Sequence, residues 1–152
     1  MSTQGPWQPI TSFRSQYAFL SNFYPCRVLL DGVAYGSVEH ALQAAKTLDR
    51  GERERLRQLA SPGEAKRAGR RLTLRPDWDQ VKLHVMRELV RQKFMEPALR
   101  NKLLQTHPRP LVEENNWGDR FWGVCGGVGE NYLGRILMEV RASCVQMSES
   151  SY

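Results

Sequence analysis

The chain has 152 residues, with 22 Lys plus Arg against 16 Asp plus Glu, a formal charge of +6, and three cysteines. That length can bury a shaped core without disulfides or a structural metal. Cys26, Cys125 and Cys144 form no CxxC pair and have no histidine at ligand spacing, which excludes a zinc or disulfide scaffold and points to reduced thiols in a cytoplasmic protein. No apolar run approaches the roughly 18 residues that span a bilayer, and "MSTQGPWQP" lacks the charged start and apolar segment of a signal peptide, so no membrane partner is expected.

Residues 1–10, with Gly5, Pro6 and Pro9, read as a flexible N-terminal tail. "CRVLLDGVAYG" follows as two short strands around Asp31-Gly32, a pair suited to the positive φ angles of a type I′ hairpin. In "SVEHALQAAK", Ser37 caps a helix expected to reach about Leu48, with Val38, Ala41, Leu42, Ala45 and Leu48 on its apolar side. Glu39, Gln43 and Lys46 then share a polar stripe, at positions i, i+4 and i+7. A first-turn glutamate also suits the helix dipole, so the stripe reads either as a solvated face or as the floor of a site.

Residues 49–75 carry nine basic and four acidic residues, nearly all of the excess charge. Interleaved Glu and Arg suit a solvated helical surface; the same excess suits phosphate binding, on a nucleotide or along a nucleic acid. "GERERLRQLA" predicts a second helix, and Ser61-Pro62-Gly63-Glu64 a third, opened by a capping box. A fourth is expected from near Trp78 to Phe94, then a short one over "PALRNKLLQT", a strand in "LVEEN", and a last helix from about Asn131 to Met147. Residues 148–152 read as a flexible tail. The expected architecture is a single α+β domain over residues 11–147, mainly helical with a small β-hairpin.

Two loops carry further chemistry. In "WGDRFWG", aromatics flank Asp119, which suits either core anchoring or stacking on a planar ligand; Asp119 itself can act as acid, base or stabiliser, or cap a turn. "CGGVGENYLG" brings Gly127, Gly129 and Asn131 to the start of the last helix, where backbone N–H groups can meet phosphate. Tyr132 stands where GxGxxG needs a third glycine, so a dinucleotide fingerprint is rejected. His40, His84 and His107 form no triad or metal pattern, and only His40 can neighbour the stripe.

Together, "FLSNFYP" (19–25), "SVEHALQAAK" (37–46), "SPGEAKRAGR" (61–70), "DWDQVKLHVMRELVRQKF" (77–94), "WGDRFWG" and "GENYLGRILMEVR" (129–141) resemble the YbiA-like NADAR family. The resemblance implies N-glycosidase chemistry, hydrolysis of a ribose C1–N bond, with no cofactor and no metal. It implies two substrate classes, ADP-ribosylated guanine in nucleotide, DNA or RNA and phosphoribosylamino-pyrimidine intermediates of riboflavin synthesis; the basic segment favours the first, with the second as the alternative. It places functional roles on Glu39, Asp119, Trp78 and Trp122, and a catalytic one on Lys46, able to form a Schiff base; Asn22, the stripe residue Gln43, and Gly127, Gly129 and Asn131 of the glycine loop complete the candidate substrate contacts. After Trp122 the chain departs from its relatives: Val124, Cys125 and Val128 replace a more polar run. A non-catalytic ADP-ribose or nucleotide reader would use the same tryptophans and glycine loop.

Overall fold

The computed structural model describes residues 5–149, and the chain divides into two compact units, residues 22–93 and the remainder. Of the expected tails, residues 1–4 and 150–152 lie outside the described residues.

In the unit of residues 22–93, β1 (Pro25–Leu30) and β2 (Val33–Ser37) form an antiparallel hairpin with Leu30 opposite Val33. Asp31 and Gly32 have φ of 47° and 82°, the two positive angles of the expected turn. The edge of β1 is closed by a side chain: Leu29 N–H donates to Gln92 Oε1 (2.7 Å) and Gln92 Nε2 donates back to the Leu29 carbonyl (3.0 Å). That amide mimics a neighbouring strand and satisfies an otherwise open edge.

β2 passes without a loop into α1 (Val38–Ala45), whose first turn is capped by the Ser37 hydroxyl accepting from His40 N–H (3.0 Å). His40 completes the junction, with Nε2 3.0 Å from the Leu59 carbonyl and Nδ1 2.7 Å from Ser37 Oγ. Because a carbonyl only accepts, Nε2 carries the proton and Nδ1 accepts from the hydroxyl. His40 is therefore committed to holding the helix start.

Every residue of α1 is buried, since β1, β2, α2 (Arg50–Arg57), α3 (Pro62–Ala68) and α4 (Trp78–Lys93) all pack on it. Its alanines allow that approach on all sides. The helix stops at Ala45, three residues before the expected Leu48, which is 61% exposed rather than part of the apolar side. The reason is local: the Lys46 carbonyl accepts from Arg75 N–H (2.7 Å), and Thr47 Oγ1 accepts from Asp49 N–H (3.1 Å), turning the chain toward α2. α3 opens on the expected capping box at Ser61 and Glu64 and ends in a 3-10 turn, Gly69–Arg71.

The second unit holds a 3-10 helix at Ser15–Leu20, α5 (Pro97–Gln105), a two-residue parallel pair β3 (Glu114–Asn115) with β4 (Val124–Cys125), and α6 (Tyr132–Glu149). Phe19 and Phe94 meet edge to face at 6.5 Å, in a core shared with Leu103, Leu133, Ile136 and Leu137. Ile10, expected in the loose tail, is 2% exposed and bridges Leu111, which takes Leu111 out of the "LVEEN" strand and leaves only Glu114 and Asn115 paired. Ser148 and Glu149, expected in the other tail, continue α6.

Lys93 is 2% exposed, beneath the Tyr24 ring (5.8 Å) and within the electrostatic reach of Cys26. Burial lowers its pKa to about 8, while the Cys26 thiol is itself raised by burial. Between about pH 8 and 10.5 the unfolded lysine holds a proton that the folded one has lost, so this group's contribution makes stability rise with pH across that window. Urea unfolding of wild type and Lys93→Met from pH 7 to 10.5 should show wild type gaining up to about 3 kcal/mol relative to the variant. Parallel stability curves would contradict this environment for Lys93.

Candidate active site

The stripe on α1 lies inside the unit rather than on a solvated face. Glu39 and Gln43 are 6% and 5% exposed, and Lys46, at the helix C-cap, is half-buried. Gln43 Nε2 donates to Glu39 Oε1 (2.8 Å), while Glu39 N–H donates to the Asn22 carbonyl (3.1 Å). Burying a carboxylate is costly unless donors meet it, and the Gln43 amide supplies one such donor; the first-turn position adds the positive end of the helix dipole. Asn22, 9% exposed, also directs its Nδ2 at Met86 Sδ on α4 (3.6 Å).

Gly69, which carries no local signal in the sequence, lies directly against Gln43. A Cβ built there would fall 1.9 Å from Gln43 Oε1, so an added methyl group would force this amide to move. Gln43 Oε1 is buried without a hydrogen-bond partner among the described residues. Flipping the amide would turn that oxygen toward the Glu39 carboxylate, so the observed orientation is the electrostatically favoured one.

Lys46 has its pKa lowered first by burial and then by the positive charges of Lys66, Arg70 and Lys82, with Glu39 opposing. A half-buried amine beside a carboxylate and three cations is a place where a neutral nucleophile is accessible and where a phosphate would be attracted. Arg75 ties Trp78 to the same end of α1: Arg75 N–H donates to the Lys46 carbonyl, and the Arg75 carbonyl accepts from Trp78 N–H (3.3 Å). Trp78 is 8% exposed, so most of its ring is already covered by protein.

In the other unit, Asp119 closes its own turn. Its Oδ1 accepts from Phe121 N–H (3.0 Å) and Trp122 N–H (2.9 Å), while Asn115 brackets the segment through the Asp119 N–H and carbonyl. Oδ2 has no hydrogen-bond partner among the described residues. Phe121 stacks edge to face on Trp122 (4.7 Å) and against Tyr132 (4.8 Å), whereas Trp117 is 52% exposed.

Asn131 stands at φ 53° and uses its side chain to tie the loop together: Oδ1 accepts from Glu113 N–H (3.0 Å) and Nδ2 donates to the Leu111 carbonyl (3.0 Å). Gly129, at φ 155°, packs against the Gly123 carbonyl, where a Cβ would come within 2.3 Å. Gly127, at φ 78°, has open space beside it. Both glycines therefore meet a backbone requirement. Among the described residues, no group of three or more His, Cys, Asp or Glu side chains is placed to hold a metal ion.

Residues 10–144 match the model of the NADAR domain. The chain belongs to the NADAR family. This NADAR chain is 42% identical over 134 residues to N-glycosidase YbiA of Escherichia coli (strain K12), covering 86% of this chain and 83% of that protein. It is 41% identical over 143 residues to an N-glycosidase of Nostoc punctiforme, covering 89% and 86% of the two chains. A riboflavin biosynthesis protein of Vibrio vulnificus is 39% identical over 140 residues, which are 88% of this chain and 38% of that longer protein. The NMR structure of the E. coli protein YbiA superposes with a TM-score of 0.83 at 37% identity, covering 99% of this chain and 91% of that one. The expected α+β, YbiA-like fold is thereby confirmed.

If Gly69 holds Gln43 against Glu39, Gly69→Ala should displace the amide, costing about 1–3 kcal/mol of stability. The loss of turnover should be larger than that destabilisation explains at a temperature where the variant stays folded. Unchanged turnover in a folded Gly69→Ala protein would show that the position of Gln43 is immaterial.

Proposed function

We propose that this NADAR protein is an N-glycosidase that hydrolyses the C1–N bond of a phosphorylated riboside, with ADP-ribosylated guanine, free or in nucleic acid, as favoured substrate. The observation that carries the reading is the Glu39 carboxylate, buried on α1, held by Gln43 and accompanied by Lys46. Breaking a C1–N bond builds positive charge on the ribose, and a carboxylate fixed in a low-dielectric setting stabilises that charge or takes a proton from water.

Lys46 supplies a second route on the same substrate. The neutral amine attacks C1 as the C1–N bond breaks and the departing nitrogen takes a proton; the ribosyl-lysine then loses a proton from its nitrogen and opens its ring, the C1–oxygen bond breaking with the ring oxygen protonated, to give a Schiff base that water hydrolyses to the open-chain sugar and free amine. The lowered pKa of Lys46 supports that route. In this reading, within residues 22–93, Lys66, Arg70 and Lys82 attract the substrate phosphate and Trp78 contacts the base; in the other unit, Asp119 Oδ2 suits a ribose hydroxyl and Trp122 a planar base. Asn22 and Gln43 position Glu39, while Gly127, Gly129 and Asn131 shape a loop that accepts phosphate. The three free thiols fit a cytoplasmic setting.

The second substrate reading, phosphoribosylamino-pyrimidine intermediates, is favoured by one specific finding: relatives of Vibrio vulnificus and Zea mays carry the name riboflavin biosynthesis protein. Purified protein should be given both substrates, with release of ADP-ribose or ribose 5-phosphate as readout and borohydride added to a second set. Release of ADP-ribose at the higher kcat/KM is the expected result, with a borohydride adduct that Lys46→Arg abolishes. Preferential release of ribose 5-phosphate would move the assignment to the riboflavin intermediates, and release of neither would overturn the enzyme reading in favour of a reader.

A further inference from the structure

The basic segment of the sequence resolves into two populations of arginine. Arg53 pairs with Asp31 (2.7 Å), Arg57 with Glu54, and Arg75 with Asp77 (2.6 Å). These are spent on structure. Arg55, Arg67 and Arg71 are exposed and make no ion pair or side-chain hydrogen bond with any described residue.

Those three line one groove of about 510 Å³ between α2 and the end of α3, over a floor of Leu56, Leu59, Ala68 and Leu72. Glu52 also lines it, but its carboxylate is engaged: Oε1 accepts from Thr47 Oγ1 (2.7 Å), and both oxygens lie within 3.2 Å of Thr73 N–H. The groove therefore presents three unmatched guanidinium groups around an apolar floor.

We propose that this groove binds the phosphodiester backbone of a nucleic-acid strand. Guanidinium forks match phosphate oxygens in a bidentate way, and an apolar floor suits the sugar edges between phosphates. The charge continues past the groove at Arg50 and Arg70, also exposed and unpaired among the described residues, which fits a strand better than a single small anion. A lipid surface fits less well, because Leu56, the apolar residue of α2, is 2% exposed and is not available for insertion. Backbone binding here is independent of which base Glu39 acts upon.

The test uses a fluorescent, unmodified single-stranded oligonucleotide and titrates binding over a range of salt. Three phosphate contacts predict a slope of log K against log salt of about −2, and each single exchange of Arg55, Arg67 or Arg71 to Gln should make it shallower by about 0.7. The triple exchange should abolish the salt-dependent part while leaving thermal unfolding and turnover of a mononucleotide-sized substrate unchanged, so that failure here is separable from failure of the glycosidase reading. Binding by the triple variant with wild-type slope would overturn the proposal. So would absence of binding at low salt, or equal competition by a polyglutamate peptide, which would assign the groove to an acidic protein.

Discussion

A carboxylate buried in the first turn of α1 sets the terms for the rest of the unit around it. Glu39 is 6% exposed, and an ion in that position persists only where hydrogen bonds and helix dipole replace the water it has lost. Gln43 supplies a bond from one turn on. The cost passes along the structure: Gln43 Oε1 is left without a partner among the described residues, and a side chain at Gly69 would displace the amide. Helix α1 is rich in alanine for the same reason, since elements pack on it from several directions and larger residues would hold them off.

The positive charge of the chain serves separate purposes once placed on the fold. Arg53, Arg57 and Arg75 brace loops and helix ends through carboxylates. Lys66, Arg70 and Lys82 act on Lys46 and, with burial, favour its neutral form. Arg55, Arg67 and Arg71 surround the α2–α3 groove. Net charge alone could not separate these roles, because it records neither which guanidinium is paired nor which cation faces a site.

Much of the local structure was legible in the sequence. Asp31-Gly32, Ser37 and the Ser61–Glu64 capping box each specify backbone geometry through their own side chains, and each formed as expected. The end of α1 was not legible, because Arg75, far along the chain, takes the Lys46 carbonyl. Periodicity likewise assigned Leu48 to the core, since it carries no information about a competing long-range bond. Helix geometry put Glu39, Gln43 and Lys46 on one face but left open whether that face met water; packing by α2, α3 and α4 decided it. Gly69 was hidden for a similar reason: a glycine whose neighbour is 26 positions away in sequence gives no local signal. Asp119 kept two readings, and the structure places one carboxylate oxygen on its own turn while the other has no described partner.

In the proposed function, Glu39 stabilises charge in the transition state rather than merely completing a buried hydrogen bond. Exchanging it for glutamine keeps the shape and removes the charge. Paired measurements on Glu39→Gln, of turnover with the preferred N-riboside and of equilibrium affinity for ADP-ribose, test this directly. Turnover should fall roughly 100- to 10,000-fold with affinity retained, the signature of an interaction made in the transition state. Turnover within a few-fold of wild type would contradict the account and return the α1 stripe to a structural role.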